Sequence, residues 1–274
     1  MRDLPKRLLT ALLLIPPVFL AIRLDVRLVA LLLAFVIVLG ARELGRLMRV
    51  RGLDAPTWLL AVGALWLGGA HAGAVPLDLS TAGVVLAAFA LVLHLFRAAG
   101  SVLRGTAAVL FASVYLGLMP AHILDLYAVG GRGEEGYWTV FYGLALVWGA
   151  DTGAYAFGTL LGRHRLWPRV SPSKSWEGVG GGVAVSTIVA VLLGGWVPGL
   201  SIPERLAAGG IVGLLSLLGD LVESSMKREA SVKDSGRAVP GHGGILDRLD
   251  SLILSAPFLS YWLSWSAGSA RGIP

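Results

Sequence analysis

The chain has 274 residues, of which 55% are hydrophobic and 15% are charged, whereas an ordinary soluble domain carries about 25% charged residues. The mean hydropathy is +0.75. These values exclude a disordered chain, a nucleic-acid-binding domain and an ordinary water-soluble enzyme, even though the pI is near 10 and the net charge is +6. In a membrane protein, such a basic excess is typical of cytoplasmic loops. The chain has no cysteine, which excludes disulfides and thiolate metal sites.

Apolar stretches recur along the whole chain and predict an all-α, polytopic integral membrane helix bundle with about nine transmembrane helices. The predicted spans are Leu8–Ile22, Leu28–Gly40, Trp58–Val75, Ser80–Phe96, Val102–Leu124, Trp138–Leu161, Val179–Trp196, Leu206–Ser224 and Leu246–Ala267. The first two are short and form either a hairpin or one long broken helix, and we favour two helices. The first span resembles a signal peptide, but Pro16 and Pro17 interrupt it and no small-residue cleavage site follows, so we predict an uncleaved span.

The basic residues predict the orientation of these spans. With the N-terminus in the cytoplasm, 17 of the 23 Lys and Arg residues fall in inside segments and 5 in outside segments, with Arg248 at a span edge. Cytoplasmic loops carry the excess of Lys and Arg in membrane proteins. The split therefore predicts an N-in, C-out topology in which loops 41–57, 97–104, 162–178 and 227–245 are cytoplasmic.

Carboxylates within or at the edges of the apolar spans indicate where the chemistry takes place. Placing one such group in a span costs about 3 kcal/mol on insertion scales, so these groups are usually functional. All six follow residue 150: Asp151, Glu177, Asp220, Glu223, Asp247 and Asp250. We therefore predict a transmembrane scaffold in residues 1–137 and a catalytic region in residues 138–274.

The spacing of the acids points to a metal. The intervals along the chain place Asp220, Glu223, Ser224 and Lys227 on one helix face. Asp247 and Asp250 lie one turn apart at the start of the last span, where a helix N-terminus alone favours an acid. That alternative does not explain Asp220, which lies inside an apolar run. Oxygen ligands on paired helices at a water-accessible edge suit Mg²⁺.

Two cytoplasmic loops have the composition of phosphate-binding segments. Loop 227–245 combines basic residues with glycines, which let backbone amides approach an anion, although an inside loop is basic in any case. The chain has 19 Arg but only 4 Lys, and Lys174, Lys227 and Lys233 fall in these loops. This bias favours a requirement for a compact ammonium. The second loop, Ser171–Gly178, places hydroxyls and Lys174 before a helix N-terminus, as a phosphate cradle would; Ser and Pro are also common helix-start residues.

The C-terminal half also carries a specific motif. Ser224-Ser225-Met226-Lys227-Arg228, then Lys233-Asp234, then Pro240-Gly241-His242-Gly243-Gly244-Ile245-Leu246-Asp247-Arg248-Leu249-Asp250 resembles the signature of the phosphatidate cytidylyltransferase (CDP-diacylglycerol synthase) family. One departure is Val239, where the pattern usually has Leu, Ile or Phe. Residues Asp151–Gly178 are similar to a second block of that family.

The resemblance implies a reaction in phospholipid biosynthesis in which CTP and phosphatidate give CDP-diacylglycerol and pyrophosphate with Mg²⁺, with or without a second cation. We assign Asp220, Asp247 and Asp250 as metal ligands. The residues expected to be catalytic are these three with Lys227, Lys233 and His242. Those expected to bind substrate are Asp151, Ser173, Lys174, Ser175, Glu177, Ser224, Arg228, Asp234, Gly243, Gly244 and Arg248.

The resemblance further implies that the partners are CTP, phosphatidate and membrane lipid. Nucleic acid is not expected as a partner, and homo-oligomerisation is left open. We expect the protein in the bacterial inner (plasma) membrane with its active site facing the cytoplasm. The main alternative is an ion- or proton-coupled transporter, since intramembrane acids also mark ion paths. Transporters often carry inverted repeats in both halves, whereas here the acids are confined to one half.

Overall fold

The computed structural model describes residues 16–97, 101–131, 133–236 and 243–270. Within these ranges the chain is nearly all-α, as predicted, apart from one short β-hairpin. Residues 16–24 are helical (α1). The other elements are α2 (Val26–Val50), α3 (Thr57–His71), α4 (Leu79–Leu95), α5 (Val102–Ala112), α6 (Met119–Gly130), α7 (Glu134–Leu161), β1 (Arg165–Trp167), β2 (Ser171–Ser175), α8 (Trp176–Leu193), α9 (Ile202–Glu229) and α10 (Leu246–Ala270).

Among the residues that the structure describes, four helical segments are long and apolar enough to cross a membrane: Val26–Val50, Val102–Gly130, Trp176–Trp196 and Ile202–Glu229. The segment Val102–Gly130 consists of α5, a π-helical stretch (Ser113–Leu118) and α6, and it covers the predicted span Val102–Leu124. Helix α4 is apolar but shorter. The total of nine spans and the orientation therefore remain predictions.

The structure agrees with one boundary that the sequence suggested, moves another and adds a hairpin. Asp25 interrupts the helix between α1 and α2, which agrees with two helices rather than one. Helix α2, however, continues past Gly40 to Val50, so loop 41–57 begins as helix. The reason is that Ala41, Leu44, Leu47 and Met48 continue the buried stripe of α2 at helical spacing. Loop 162–178 was expected to be irregular, and it contains the antiparallel hairpin β1–β2.

The chain divides into two compact units. Unit 1 is built mainly from Val26–His122 and Met226–Arg248, and unit 2 mainly from Ile123–Ser225 with the residues from Leu249 onward. Helices α9 and α10 each supply residues to both units. In unit 1, α2, α3 and the π-helical stretch pack together. In unit 2, α7 packs along α8.

Glycines allow the helices of unit 2 to pack closely. A Cβ on Gly153 of α7 would overlap the carbonyl oxygen of Gly181 on α8, and one on Gly213 of α9 would lie 2.8 Å from the Cα of Val183. Small residues at such crossings let helix backbones approach each other in a membrane. A Cβ on Gly219 of α9 would overlap the carbonyl oxygen of Asp250 on α10. This contact brings the segment beside Asp220 against the backbone of Asp250.

Candidate active site

The part of unit 1 that contains the motif is centred on an ion pair. The Lys227 ammonium lies 2.6 Å from Asp247 Oδ1, and the two side chains are only 12% and 10% exposed. Lys227 lies in the last turns of α9 and Asp247 in the first turn of α10. The pair is therefore held by the two helix ends that flank loop 230–245.

The loop itself fixes the other oxygen of Asp247. The amide nitrogens of Gly244 and Ser235 donate to Oδ2 at 2.8 and 3.3 Å, and Ser235 Oγ lies 3.0 Å from it. Gly243 has a φ of +86°, a left-handed conformation that a residue with a side chain rarely adopts. A Cβ there would also lie 3.0 Å from Asp247 Oδ2. The glycines of the motif thus allow the chain to fold against the Asp247 carboxylate.

A second ion pair lies in unit 2. The Lys174 ammonium on β2 lies 2.5 Å from Asp220 Oδ2 on α9, with the side chains 22% and 29% exposed. Ser224, one turn further along α9, donates through Oγ to Asp220 Oδ1 at 3.1 Å. The hairpin β1–β2, which the sequence did not predict, is what positions Lys174 for this contact.

Two further predicted acids of unit 2, Asp151 and Asp250, lie on helices that contribute to this region. Asp151 Oδ1 on α7 accepts a hydrogen bond of 3.0 Å from Ser251 Oγ on α10. Asp151 and Lys174 line the same small cleft, together with Ser216 and Leu217. Ser251 directly follows Asp250, so α10 contributes both residues to this part of unit 2. This part of unit 2 thus brings Asp151, Asp220 and the backbone of Asp250 together with Lys174.

Several predicted substrate-binding residues have local structural contacts. Ser175 caps α8, its Oγ accepting from the Gly178 amide at 3.1 Å. Glu177 accepts from the amides of Arg163 and His164 and from His164 Nδ1, and so fixes the turn before β1. Ser173 is exposed, and its carbonyl oxygen accepts from Arg165. These contacts shape the hairpin that carries Lys174.

The remaining predicted residues lie on the accessible surface or beyond the described ranges. Lys233, Asp234, Arg228 and Arg248 are exposed. Arg228 donates to the Val232 carbonyl oxygen at 3.2 Å. His242 lies outside the described residues, as do the start of the first predicted span and part of loop 227–245.

Sequence reasoning missed Glu43. This residue of α2 is 3% exposed, and its Oε2 accepts from Ser235 Oγ at 3.0 Å and from the Leu246 amide at 3.1 Å. The carboxylate was read as part of a loop, because the apolar run ends at Gly40. Its spacing of three residues after Gly40 and four before Leu47 was the available signal, since both are buried on α2.

Comparisons with known proteins agree with the motif. The sequence model of the cytidylyltransferase family matches residues 5–266. Phosphatidate cytidylyltransferase from Haemophilus influenzae is 44% identical over 133 residues, covering 47% of this chain and 46% of that protein. The Staphylococcus haemolyticus protein of the same name is 47% identical over 131 residues, covering 47% and 50%. That from Bacillus subtilis is 38% identical over 155 residues, covering 56% of both.

The aligned segments cover about half the length of these curated relatives. The family match, by contrast, extends over almost the entire sequence and includes every predicted site residue. This match shows that the chain belongs to the cytidylyltransferase family.

Proposed function

We propose that this protein transfers the cytidylyl group of CTP to phosphatidate, giving CDP-diacylglycerol and pyrophosphate in phospholipid biosynthesis. The observation that carries the proposal is the presence of two lysine–aspartate pairs, Lys227–Asp247 and Lys174–Asp220. The first pair lies within the family motif, and Lys174 lies in the second block that resembles the family. The three bacterial relatives are phosphatidate cytidylyltransferases, and they suggest the substrate class.

The proposed reaction needs no strong general base. An oxygen of the phosphatidate phosphate attacks the α-phosphorus of CTP, a new P–O bond forms, and the bond between the α-phosphorus and the bridging oxygen breaks to release pyrophosphate. Because the nucleophile is already an oxyanion, the main barrier is repulsion between two polyanions. Cationic groups that face the phosphates lower that barrier by stabilising the charge of the transition state.

The two lysines suit that task. An ammonium is a compact charge with three donors, so a lysine that contacts an aspartate retains the capacity to donate to phosphate oxygens. Lys227 and Lys174 are both held by aspartates rather than extended into solvent. We assign them to the phosphates of the two substrates, with the exposed Lys233, Arg228 and Arg248 attracting the anions toward the site.

The acids fit Mg²⁺. Mg²⁺ is usually bound through one or two carboxylates together with substrate phosphates, and Asp220, Asp247 and Asp250 offer such oxygens. Asp220 and Asp247 each hold an ammonium within 2.6 Å, so their oxygens already face a cation. When bound, Mg²⁺ would neutralise the triphosphate and the departing pyrophosphate. Asp220 would hold that charge beside Lys174, and Asp247 would hold it beside Lys227.

We also propose where the protein lies in the cell and how it is oriented in the membrane. We propose an inner-membrane protein with nine spans, its N-terminus inside and its active site on the cytoplasmic side, where CTP is available. The basic residues support this orientation, and four apolar helices of sufficient length support a membrane location. Residues 138–274 then supply the motif, and residues 1–137 act largely as scaffold.

The orientation can be tested because the chain has no native cysteine. Ser231→Cys should resist an impermeant thiol reagent in intact cells and react once the cells are opened. Leu77→Cys, in a segment predicted to face outward, is the matched control and should react in both. Labelling of Ser231→Cys in intact cells would overturn the proposed topology.

The activity can be tested with purified protein, CTP labelled in the cytidine, phosphatidate and Mg²⁺. We expect the label to enter a lipid only when phosphatidate is present, and chelation of divalent cations to stop the transfer. Diacylglycerol, which lacks the phosphate nucleophile, is the matched control and should give no labelled lipid. Failure to label lipid under any of these conditions would refute the proposal.

A further inference from the structure

Glu43 is a buried carboxylate on a helix that otherwise packs apolar side chains. Its neighbours Leu44 and Leu47 are also buried, and the Glu43 side chain is 3% exposed. Burying a carboxylate is costly unless hydrogen bonds or charges compensate it. A purely packing role at this position would be served at lower cost by an apolar residue. The contacts of the carboxylate therefore indicate what it does.

Glu43 contacts residues toward both ends of loop 230–245. Oε2 accepts from Ser235 Oγ and from the Leu246 amide at the start of α10. A Cβ on Gly236 would overlap Glu43 Oε1, and one on Gly244 would lie 2.5 Å from Oε2. The loop ends thus close onto this one carboxylate, and glycine at these two positions allows the approach.

Ser235 connects Glu43 to Asp247. Its Oγ lies 3.0 Å from Glu43 Oε2 and 3.0 Å from Asp247 Oδ2. A hydroxyl has one proton to donate, so the two carboxylates compete for it. Leu246, whose amide donates to Glu43, directly precedes Asp247 in the chain. Glu43 therefore acts on Asp247 through a side chain and through the adjoining backbone.

We propose that Glu43 is a positioning residue for Asp247: it fixes Ser235 and Leu246 so that the Asp247 carboxylate keeps its orientation toward Lys227. The inference rests on the proposed function for its link to turnover. It adds a residue from the N-terminal half to the machinery otherwise supplied by residues after position 150. Residues that hydrogen-bond to a metal-binding carboxylate typically contribute about 10- to 100-fold to activity or metal affinity.

The test compares Glu43→Leu, which removes the acceptor, with Glu43→Gln, whose amide oxygen can still accept from Ser235 and Leu246. Arg42→Gln, an exposed charge change on the adjacent residue of α2, is the control. We expect Glu43→Leu to lower kcat at least about tenfold and Glu43→Gln to restore most of it. Ser235→Ala should lower kcat in the same direction, and KM for CTP should change less than kcat in each variant.

Amide hydrogen exchange of residues 243–248 gives a readout independent of turnover. Exchange in this segment should accelerate about tenfold in Glu43→Leu, while exchange in α7 and α8 remains at the wild-type rate. An inactive Glu43→Leu with unchanged exchange would refute the positioning role. If Glu43→Leu unfolds globally, Ser235→Ala decides: wild-type kcat and wild-type exchange of residues 243–248 in that variant would overturn the proposal.

Failure of the inference and failure of the proposed function remain distinguishable. If Asp247→Asn loses liponucleotide formation while Glu43→Leu matches the wild type, only the positioning role fails. If Asp247→Asn forms CDP-diacylglycerol at the wild-type rate, the proposed role of Asp247 in the reaction fails, and the link from Glu43 to turnover fails with it.

Discussion

The two lysine–aspartate pairs are chemically alike but are held in different ways. Asp247 is fixed by Lys227, by two loop amides and by Ser235, and its side chain is 10% exposed. Asp220 is fixed by Lys174 and Ser224, and its side chain is 29% exposed. The first pair therefore depends on the precise path of a loop, whereas the second depends on a helix face and a hairpin. Substitutions in the first pair should be tolerated less well.

We expect the largest loss of kcat when either paired aspartate is replaced. Asparagine keeps the shape of the side chain but removes its charge, and loss of one such electrostatic contributor costs about 10²- to 10³-fold in kcat. We expect Asp247→Asn to lie near the upper end and Asp220→Asn near the lower end, in assays of CDP-diacylglycerol formation at matched protein levels. Near-normal turnover by Asp220→Asn at saturating Mg²⁺ would remove that residue from the site.

We expect the next largest loss of activity when either paired lysine is replaced by arginine. Arginine keeps the charge, but its planar fork does not match the geometry of an ammonium. We expect Lys227→Arg, at a side chain that is 12% exposed, to lose about tenfold more kcat/KM than Lys174→Arg, at one that is 22% exposed. Arg46→Lys on α2 is the control, and its steady-state kinetics should match the wild type. Equal losses in both lysine variants would contradict the ranking of the pairs.

A smaller effect is expected at the surrounding hydrogen bonds. Ser251→Ala removes the 3.0 Å bond to Asp151, and Ser260→Ala removes a 3.0 Å bond from the same helix to Asp125. A single hydrogen bond contributes about 1 kcal/mol, so both variants should lose similar stability in thermal unfolding. We expect only Ser251→Ala to lower turnover, by a few-fold. A similar loss of turnover in Ser260→Ala would mean that the effect is structural.

Much of this site could be predicted from residue type and spacing. The apolar runs gave α3, α4, α7, α8, α9 and α10 within a few residues, because a helix in a membrane must satisfy its own backbone. The scarcity of lysine pointed to Lys174 and Lys227, and the structure pairs each with a predicted aspartate.

What could not be predicted depends on tertiary contacts. Hydropathy ended the second span at Gly40, since Arg42 and Glu43 break the apolar run, although both belong to α2. Burial of Glu43 arises from contacts with Ser235 and Leu246, about two hundred residues away along the chain. The hairpin β1–β2 has three and five residues in its strands, too few for a clear period-2 pattern.

The central claim is that both lysine–aspartate pairs serve cytidylyl transfer from CTP to phosphatidate. The most direct measurement follows CDP-diacylglycerol and pyrophosphate together, from one incubation each of the wild type, Asp220→Asn and Asp247→Asn. We predict that the wild type releases the two products in equal amounts and that each variant loses both by at least about a hundredfold. Unequal products from the wild type, or near wild-type rates from either variant, would contradict the claim.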